Sequence, residues 1–135
     1  MKKTVRDELV QRAIKAKKTS YSPYSRFRVG AAVLTDDGTV FSGCNVENSS
    51  YGLSICAERN AIFQMAFAGK RKITAIAVTS DERTFITPCG ACRQVISEFA
   101  GPETKIILVT AAGKTKTVRF GTLFPAPPKL EGLKK

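Results

Sequence analysis

Two short apolar runs constrain the fold of this chain more than any other feature of its sequence. Residues 73–80, ITAIAVTS, and residues 105–110, KIILVT, are almost continuous in apolar side chains. This pattern is typical of strands that are buried on both faces of a sheet, so helices must cover the sheet. A short helix predicted at residues 93–100, which ends before Gly101-Pro102, lies between the two strands. The alternation of strands and helices predicts an α/β sandwich with a mixed sheet.

The remaining elements follow from periodicity and from turn residues. A helix over 4–18 is predicted from the apolar face of Leu9, Val10, Ala13 and Ile14, with Thr4 as a candidate cap. The other predicted elements are hairpin strands at 28–35 and 39–45 around Asp37-Gly38, a helix at 54–69, a last strand at 116–120 and an irregular proline-rich tail at 121–135.

Composition narrows the class of protein. A chain of 135 residues with 43% hydrophobic residues indicates one globular domain, residues 1–135. No apolar stretch approaches the roughly 18 residues of a membrane helix, and Arg6, Asp7 and Glu8 stand where a secretion signal would be apolar. We therefore expect no membrane partner and a cytoplasmic location. The formal charge of +11 makes nucleic-acid binding an open alternative, although it is equally compatible with a lysine-rich surface.

The chain contains four cysteines and no histidine, so a metal site must use cysteine or carboxylate ligands. Cys89 and Cys92 lie in TPCGACRQ, and Cys56 and Glu58 lie in SICAERNA. Zinc deaminases combine these two patterns, with His or Cys at the first position and a glutamate that is not a ligand. Both Cys56 and Cys89 are predicted at helix starts, where free N–H groups favour a thiolate.

This arrangement predicts a catalytic zinc site. Thiolates of Cys56, Cys89 and Cys92 would fill three tetrahedral positions and leave the fourth for water. Glu58 would carry protons, since no histidine is present to do so. Arg59 and Arg93 are candidates to offset the negative charge of the thiolates.

Other interpretations of the cysteines remain open at this point. Cys89 and Cys92 would make a thioredoxin-like redox pair, but this leaves Cys56 and Glu58 without a role. A structural zinc site would need Cys44 as its fourth ligand, although Cys44 is favoured as a small buried residue. A zinc-binding interaction module with a basic helix at 4–18 is a non-enzymatic alternative.

Beyond these motifs, the sequence resembles the small, homotetrameric, zinc-dependent cytidine deaminases. The resemblance is carried by YSPYSRFRVGAAVL, GCNVENSSYG, CAER and PCGACRQVISEF, which together span most of the chain. It implies a three-layer α/β/α sandwich with a five-stranded mixed sheet covered by helices, and one Zn2+ per subunit. It further implies hydrolytic deamination of cytidine and deoxycytidine to uridine and deoxyuridine plus ammonia, in pyrimidine salvage.

The resemblance also assigns individual roles. Glu58 would take a proton from the zinc-activated water, protonate N3 and then protonate the leaving amine. Residues implied to bind the substrate are Asn45 and Glu47 at the ribose 3′-hydroxyl, Phe27 on the pyrimidine, the Ala57 N–H at O2 and Tyr51 near the sugar and the subunit contact. Arg59 and Gln94 are implied to lie behind the zinc ligands. From pattern alone, Phe27 would equally be a core residue and Asn45 a turn residue.

Two features bear on the substrate. Because Glu47 would repel a 5′-phosphate, its presence favours free nucleosides over nucleotides or polymers. A deaminase of polynucleotides or of modified nucleosides is the alternative within the same fold. The tail, LFPAPPK, departs from the family pattern because Pro128 stands about where an aromatic residue would reach a neighbouring subunit's site, with Phe124 as a candidate substitute.

Overall fold

The computed structural model describes residues 1–128 and residue 130, and places five strands in one sheet. Their order across the sheet is β2-β1-β3-β4-β5. β3 and β4 are parallel, whereas the other neighbouring pairs are antiparallel, so the sheet is mixed as predicted. The strands are β1 (Val29–Thr35), β2 (Val40–Cys44), β3 (Ile73–Ser80), β4 (Lys105–Val109) and β5 (Thr115–Arg119).

Helices cover both faces of this sheet. Helix α1 packs on one face through a cluster that includes Leu9 and Ala13, whereas α2 and α3 pack on the other. The predicted three-layer α/β/α sandwich is therefore confirmed. The helices are α1 (Lys3–Lys17), α2 (Ala57–Phe67), α3 (Gly90–Phe99) and the short α4 (Phe120–Leu123), with one 3-10 turn at Tyr51–Leu53. No helix in the described part of the chain is long and apolar enough to cross a membrane.

Glycines allow the helices to approach the sheet closely. A Cβ atom on Gly30 of β1 would lie 2.1 Å from the backbone oxygen of Ala13 in α1. A Cβ atom on Gly43 of β2 would lie 2.5 Å from the backbone nitrogen of Ala61 in α2. Neither clash can be relieved by moving a flexible side chain, so glycine at these positions sets how near both helix layers lie to the sheet.

Several predicted boundaries differ from the structure. Helix α1 begins at Lys3 and has no side-chain cap, so Thr4 lies inside the helix and does not cap it. Helix α2 begins at Ala57 and not at residue 54, because Ile55 pairs with Val46 in a β-bridge. The tail predicted as irregular at 121–135 starts inside a helix, since residues 121–123 belong to α4, and residue 129 and residues 131–135 lie outside the described residues.

Candidate active site

The N-termini of α2 and α3 lie side by side at one edge of the sheet and bring three cysteines together. Cys56 occupies the position before α2, Cys89 the position before α3, and Cys92 the first turn of α3. Their sulfur atoms all lie within 4.8 Å of one another, and those of Cys56 and Cys89 are 3.8 Å apart. Two ends of helices thus direct thiols from separate parts of the sequence into one cluster.

This cluster fits a tetrahedral zinc ion. Two sulfurs at 2.3 Å from a tetrahedral ion are roughly 3.8 Å apart, which is the separation observed between Cys56 and Cys89. Three thiolates leave one coordination position for a water molecule or a substrate atom. Cys44 is not part of the cluster. It is half-buried and not fully buried as expected, and its thiol donates to the Thr19 carbonyl oxygen at 3.4 Å. The structure therefore gives no support to a closed four-cysteine site.

The surroundings of the cluster favour a thiolate at Cys56. A hydrogen bond from Cys92, together with the neighbouring Arg59, lowers the pKa of Cys56 to about 5. The same hydrogen bond and burial raise the pKa of Cys92. The Arg59 Nη2 lies 3.5 Å from the Cys56 sulfur, so Arg59 is placed to offset thiolate charge. Its Nε is buried without a hydrogen-bond partner among the described residues.

Glu58 is the buried carboxyl group of the site. Glu58 is only 4% exposed, and burial raises the pKa of its carboxyl group to about 7. A carboxyl group with a pKa near the working pH both accepts and returns a proton readily. Glu58 lines the same cavity as Cys56 and Cys89, so proton transfer and metal binding are brought together.

The cavity has a volume of about 270 Å³ and lies beside the cysteine cluster, since Cys56 and Cys89 form part of its lining. Its lining includes three residues that the resemblance assigned to substrate binding, Phe27, Asn45 and Glu47. Ala57, the first residue of α2, is buried next to Cys56. The structure thus collects most of the predicted site residues around one concave surface.

The loop that carries Phe27 is held by Asn45 and Glu47. The Asn45 amide accepts from the Val29 N–H at 2.9 Å and from the Ser20 hydroxyl, and it donates to the Phe27 carbonyl at 2.8 Å. Glu47 accepts from the N–H groups of Tyr24 and Ser25, each at 3.0 Å, and from the Ser25 hydroxyl. The Ser25 hydroxyl lowers the pKa of Glu47, so this carboxylate is ionised. Both residues therefore shape the pocket as well as line it.

The other residues that were predicted for the site do not line this cavity. Tyr51 is 79% exposed and contacts Tyr24 edge-on, outside the cavity lining. The Gln94 amide donates to the Pro128 carbonyl oxygen at 3.4 Å. Arg93 binds oxygen acceptors and not the sulfurs, in contrast to the expectation that it offsets thiolate charge. Phe124 packs against Phe120 of its own chain.

Sequence reasoning did not single out the rest of the cavity wall. Ser80 and Val109 belong to it, at the ends of β3 and β4, together with Ile86 and Thr87 from the loop that leads to Cys89. The sequence does contain one signal for these residues, namely the two buried strands. Ligands of α/β proteins bind outside the carboxyl ends of parallel strands, so the ends of these two strands indicate the edge of the sheet where the cavity lies.

Comparison with known proteins agrees with this site. The family model of the cytidine and deoxycytidylate deaminase zinc-binding region matches residues 3–110. A cytidine deaminase of Halalkalibacterium halodurans is 46% identical over 120 residues, which cover 89% of this chain and 91% of that protein. A cytidine deaminase of Sporosarcina psychrophila is 41% identical over 127 residues, with coverage of 94% and 93%.

Solved structures share the fold over nearly the whole chain. The crystal structure of cytidine deaminase from Burkholderia pseudomallei has a TM-score of 0.87 and 44% identity, and covers 95% of this chain and 100% of that one. The cytidine deaminase from Mycobacterium tuberculosis has a TM-score of 0.79 and 39% identity, with coverage of 93% and 98%. The match over residues 3–110 and the clustered cysteines together place this chain in the family of cytidine and deoxycytidylate deaminases that share this zinc-binding region.

Proposed function

We propose that this protein is a cytidine deaminase, which uses water to replace the C4 amino group of cytidine and deoxycytidine and releases uridine or deoxyuridine and ammonia. The observation that carries the proposal is the buried Glu58 carboxyl group, which lines one cavity together with Cys56 and Cys89 of the cysteine cluster. A structural zinc site would give the buried Glu58 carboxyl group no function. Burying a carboxyl group costs folding free energy, so its presence here needs a functional reason.

In the proposed mechanism, Cys56, Cys89 and Cys92 hold Zn2+. Zinc bound by these thiolates supplies the Lewis acidity that makes water a nucleophile near neutral pH. Glu58 accepts a proton from the attacking water and gives one to ring N3 as the new C4–O bond forms. It then takes the proton of the new C4 hydroxyl group and delivers it to the amino group as the C4–N bond breaks, so that ammonia leaves and C4 becomes a carbonyl carbon.

Binding of the nucleoside is assigned to the walls of the cavity. Phe27 packs on the pyrimidine, and the free N–H of Ala57 at the start of α2 meets the O2 oxygen. Asn45 and Glu47 bind the ribose hydroxyl groups with the donor and acceptor capacity that their loop contacts leave unused. Arg59 and Gln94 are assigned to the surroundings of the zinc ligands, which they would help to hold in place. Tyr51 is assigned to a contact with the sugar at the boundary between two subunits.

The proposed assembly is a homotetramer, with residues 1–135 as one catalytic domain. Exposed aromatic side chains on α2 support an interface: Phe67 is 93% exposed and Phe63 is 49% exposed. Both line a cleft of about 980 Å³ between α1, β2 and α2. Phe63 and Phe67 lie four positions apart on α2 and so share one face of the helix. Contiguous exposed apolar patches mark contact surfaces between proteins. We further propose a cytoplasmic role in pyrimidine salvage, where reduced thiols suit the zinc site.

The ultraviolet absorbance change of cytidine tests the activity. Zinc-loaded wild-type protein is expected to convert cytidine to uridine, whereas Glu58→Gln is expected to lose about 1,000-fold or more in turnover while zinc stays bound. Glu82→Gln, at an exposed position, is the matched control and is expected to retain activity. Conversion by Glu58→Gln at the wild-type rate would disprove the role of Glu58. No conversion of cytidine by the zinc-loaded wild type would disprove the proposed function.

A further inference from the structure

Arg93 makes a set of hydrogen bonds that the proposed chemistry does not use. It follows Cys92 in α3 and is half-buried. Its Nε donates to the Pro88 carbonyl at 2.8 Å, its Nη1 to the Leu123 carbonyl at 2.7 Å and its Nη2 to the Thr87 hydroxyl at 2.9 Å. All three guanidinium nitrogens thus have oxygen acceptors, and none of these acceptors is a carboxylate.

The acceptors belong to two separate parts of the protein. Thr87 lines the cavity, and the buried Pro88 immediately precedes Cys89. Leu123 is the last residue of α4, where a helix leaves carbonyl groups without partners inside the helix. One planar group therefore connects the segment that carries a zinc ligand to an element that follows the last strand.

This geometry separates the role of Arg93 from that of Arg59. The Arg59 guanidinium lies next to the Cys56 sulfur and so acts on its charge. Arg93 instead directs its donors at fixed backbone and hydroxyl oxygens, and a planar fork fixes the relative positions of its acceptors. A lysine at the same position would keep the positive charge but lose the fork.

We propose that Arg93 is a positioning residue of the zinc site, which ties the Thr87–Pro88 segment to the end of α4 and thereby sets the position of the Cys89 sulfur and of the pocket wall at Thr87. The proposal rests on the zinc-dependent function proposed above. It assigns a task to α4, which otherwise has no part in the reaction.

The test compares Arg93→Lys with Arg83→Lys, a change in the exposed loop before Thr87. In Arg93→Lys we expect kcat for cytidine to fall by about 10- to 100-fold with a smaller change in KM, and zinc transfer to a chelator to accelerate by a similar factor. The visible absorption of the cobalt-substituted protein is expected to shift, because it reports the geometry of the thiolate ligands. Arg83→Lys is expected to match wild type in each readout.

A second variant keeps the proposal testable if Arg93→Lys does not fold. Thr87→Val removes only the acceptor of Nη2, and a smaller shift in cobalt absorption is expected from it. The proposal is overturned if cobalt absorption and zinc transfer stay at wild-type values in the folded variants, even where the melting temperature falls. If the wild-type protein does not deaminate cytidine but Arg93→Lys still alters cobalt absorption, the positioning role stands and only the proposed reaction is lost.

Discussion

The Sγ atoms of Cys56 and Cys89 lie 3.8 Å apart although 33 positions separate the two residues in the sequence. The path of the chain between them accounts for this contact. Helix α2 begins at the edge of the sheet where the cysteines cluster and runs away from it. Strand β3 then returns to that edge before α3 begins. Because both helices start at the same edge, a metal ion bound there links α2 to α3.

We expect Cys89→Ser to lose most of its zinc and to melt at least about 10 °C below the zinc-loaded wild type. The physical reason is that metal binding free energy becomes folding free energy when the ligands come from separate elements. Metal content after gel filtration and a thermal scan measure both effects. Wild-type protein stripped of zinc by a chelator is expected to melt near the variant.

Cys44→Ser is the control for this experiment. Its hydroxyl retains a donor for the Thr19 carbonyl, and position 44 lies outside the cysteine cluster. We expect one zinc per chain and a melting temperature near that of wild type. Full zinc occupancy in Cys89→Ser, or zinc loss in Cys44→Ser, would contradict the assigned ligands.

Glu47→Gln tests recognition of the ribose. Glutamine retains an oxygen for the N–H groups of Tyr24 and Ser25, so the loop contacts are largely preserved. We expect kcat/KM for cytidine to fall by about 10- to 100-fold, the effect of weakening hydrogen bonds to a charged group. Steady-state kinetics with cytidine measure this loss.

The same variant tests discrimination against nucleotides. We expect wild-type protein to prefer cytidine strongly over cytidine 5′-monophosphate, because the Glu47 carboxylate repels a nearby phosphate. In Glu47→Gln the preference is expected to narrow, since the charge is gone. An unchanged ratio of the two kcat/KM values would show that Glu47 does not set this specificity.

The sequence predicts the buried strands well and the helix starts less well. The apolar run at 73–80 coincides with β3, because a fully buried strand needs apolar side chains along its whole length. Helix α3 begins at Gly90 and not at residue 93, because the Arg93 N–H donates to the Cys89 carbonyl oxygen at 2.9 Å and so closes a helical turn that includes Gly90. Tertiary pairing of Ile55 with Val46, which no local pattern reveals, delays the start of α2.

Within the site, the meeting of the three cysteines near Glu58 was predictable from their residue types and spacing. The direction of Arg93 was not, since adjacent residues of a helix do not share a face and proximity to Cys92 in sequence says little about contact. Its acceptors, Pro88 and Leu123, are backbone carbonyl groups, which leave no trace in a residue pattern. Only the folded chain shows that α4 reaches this segment.

Asp81 gives an expectation for acid stability. It pairs with Arg28 and Lys17, and the Arg28 hydrogen bonds, with support from Lys17, lower the pKa of Asp81 to about 2 from an ordinary value of 3.8. As the pH falls, Asp81 of the unfolded chain takes up a proton at a higher pH than Asp81 of the folded chain does. The carboxylate therefore stabilises the fold above about pH 4, and this contribution is lost as the pH falls towards 2.

Urea unfolding of wild type and Asp81→Asn at several pH values measures this contribution. We expect Asp81→Asn to be less stable by up to about 1 kcal/mol at pH 6, because water screens a partly exposed ion pair. The difference is expected to shrink towards zero between about pH 4 and pH 2. Zinc loss in acid affects both proteins and so cancels in the difference, whereas a gap that is constant with pH would contradict the assignment.

Phe67→Asp tests the proposed assembly through its most exposed aromatic side chain. Covering one phenylalanine stabilises an interface by about 1.5–3 kcal/mol, and a carboxylate there would have to be buried unpaired. We therefore expect sedimentation to shift from a tetramer to smaller species at micromolar concentration. Lys114→Asp, in the exposed turn before β5, controls for added negative charge and is expected to sediment as wild type does. A monomeric wild-type protein, or a tetramer in Phe67→Asp, would show that this face of α2 does not hold the subunits together.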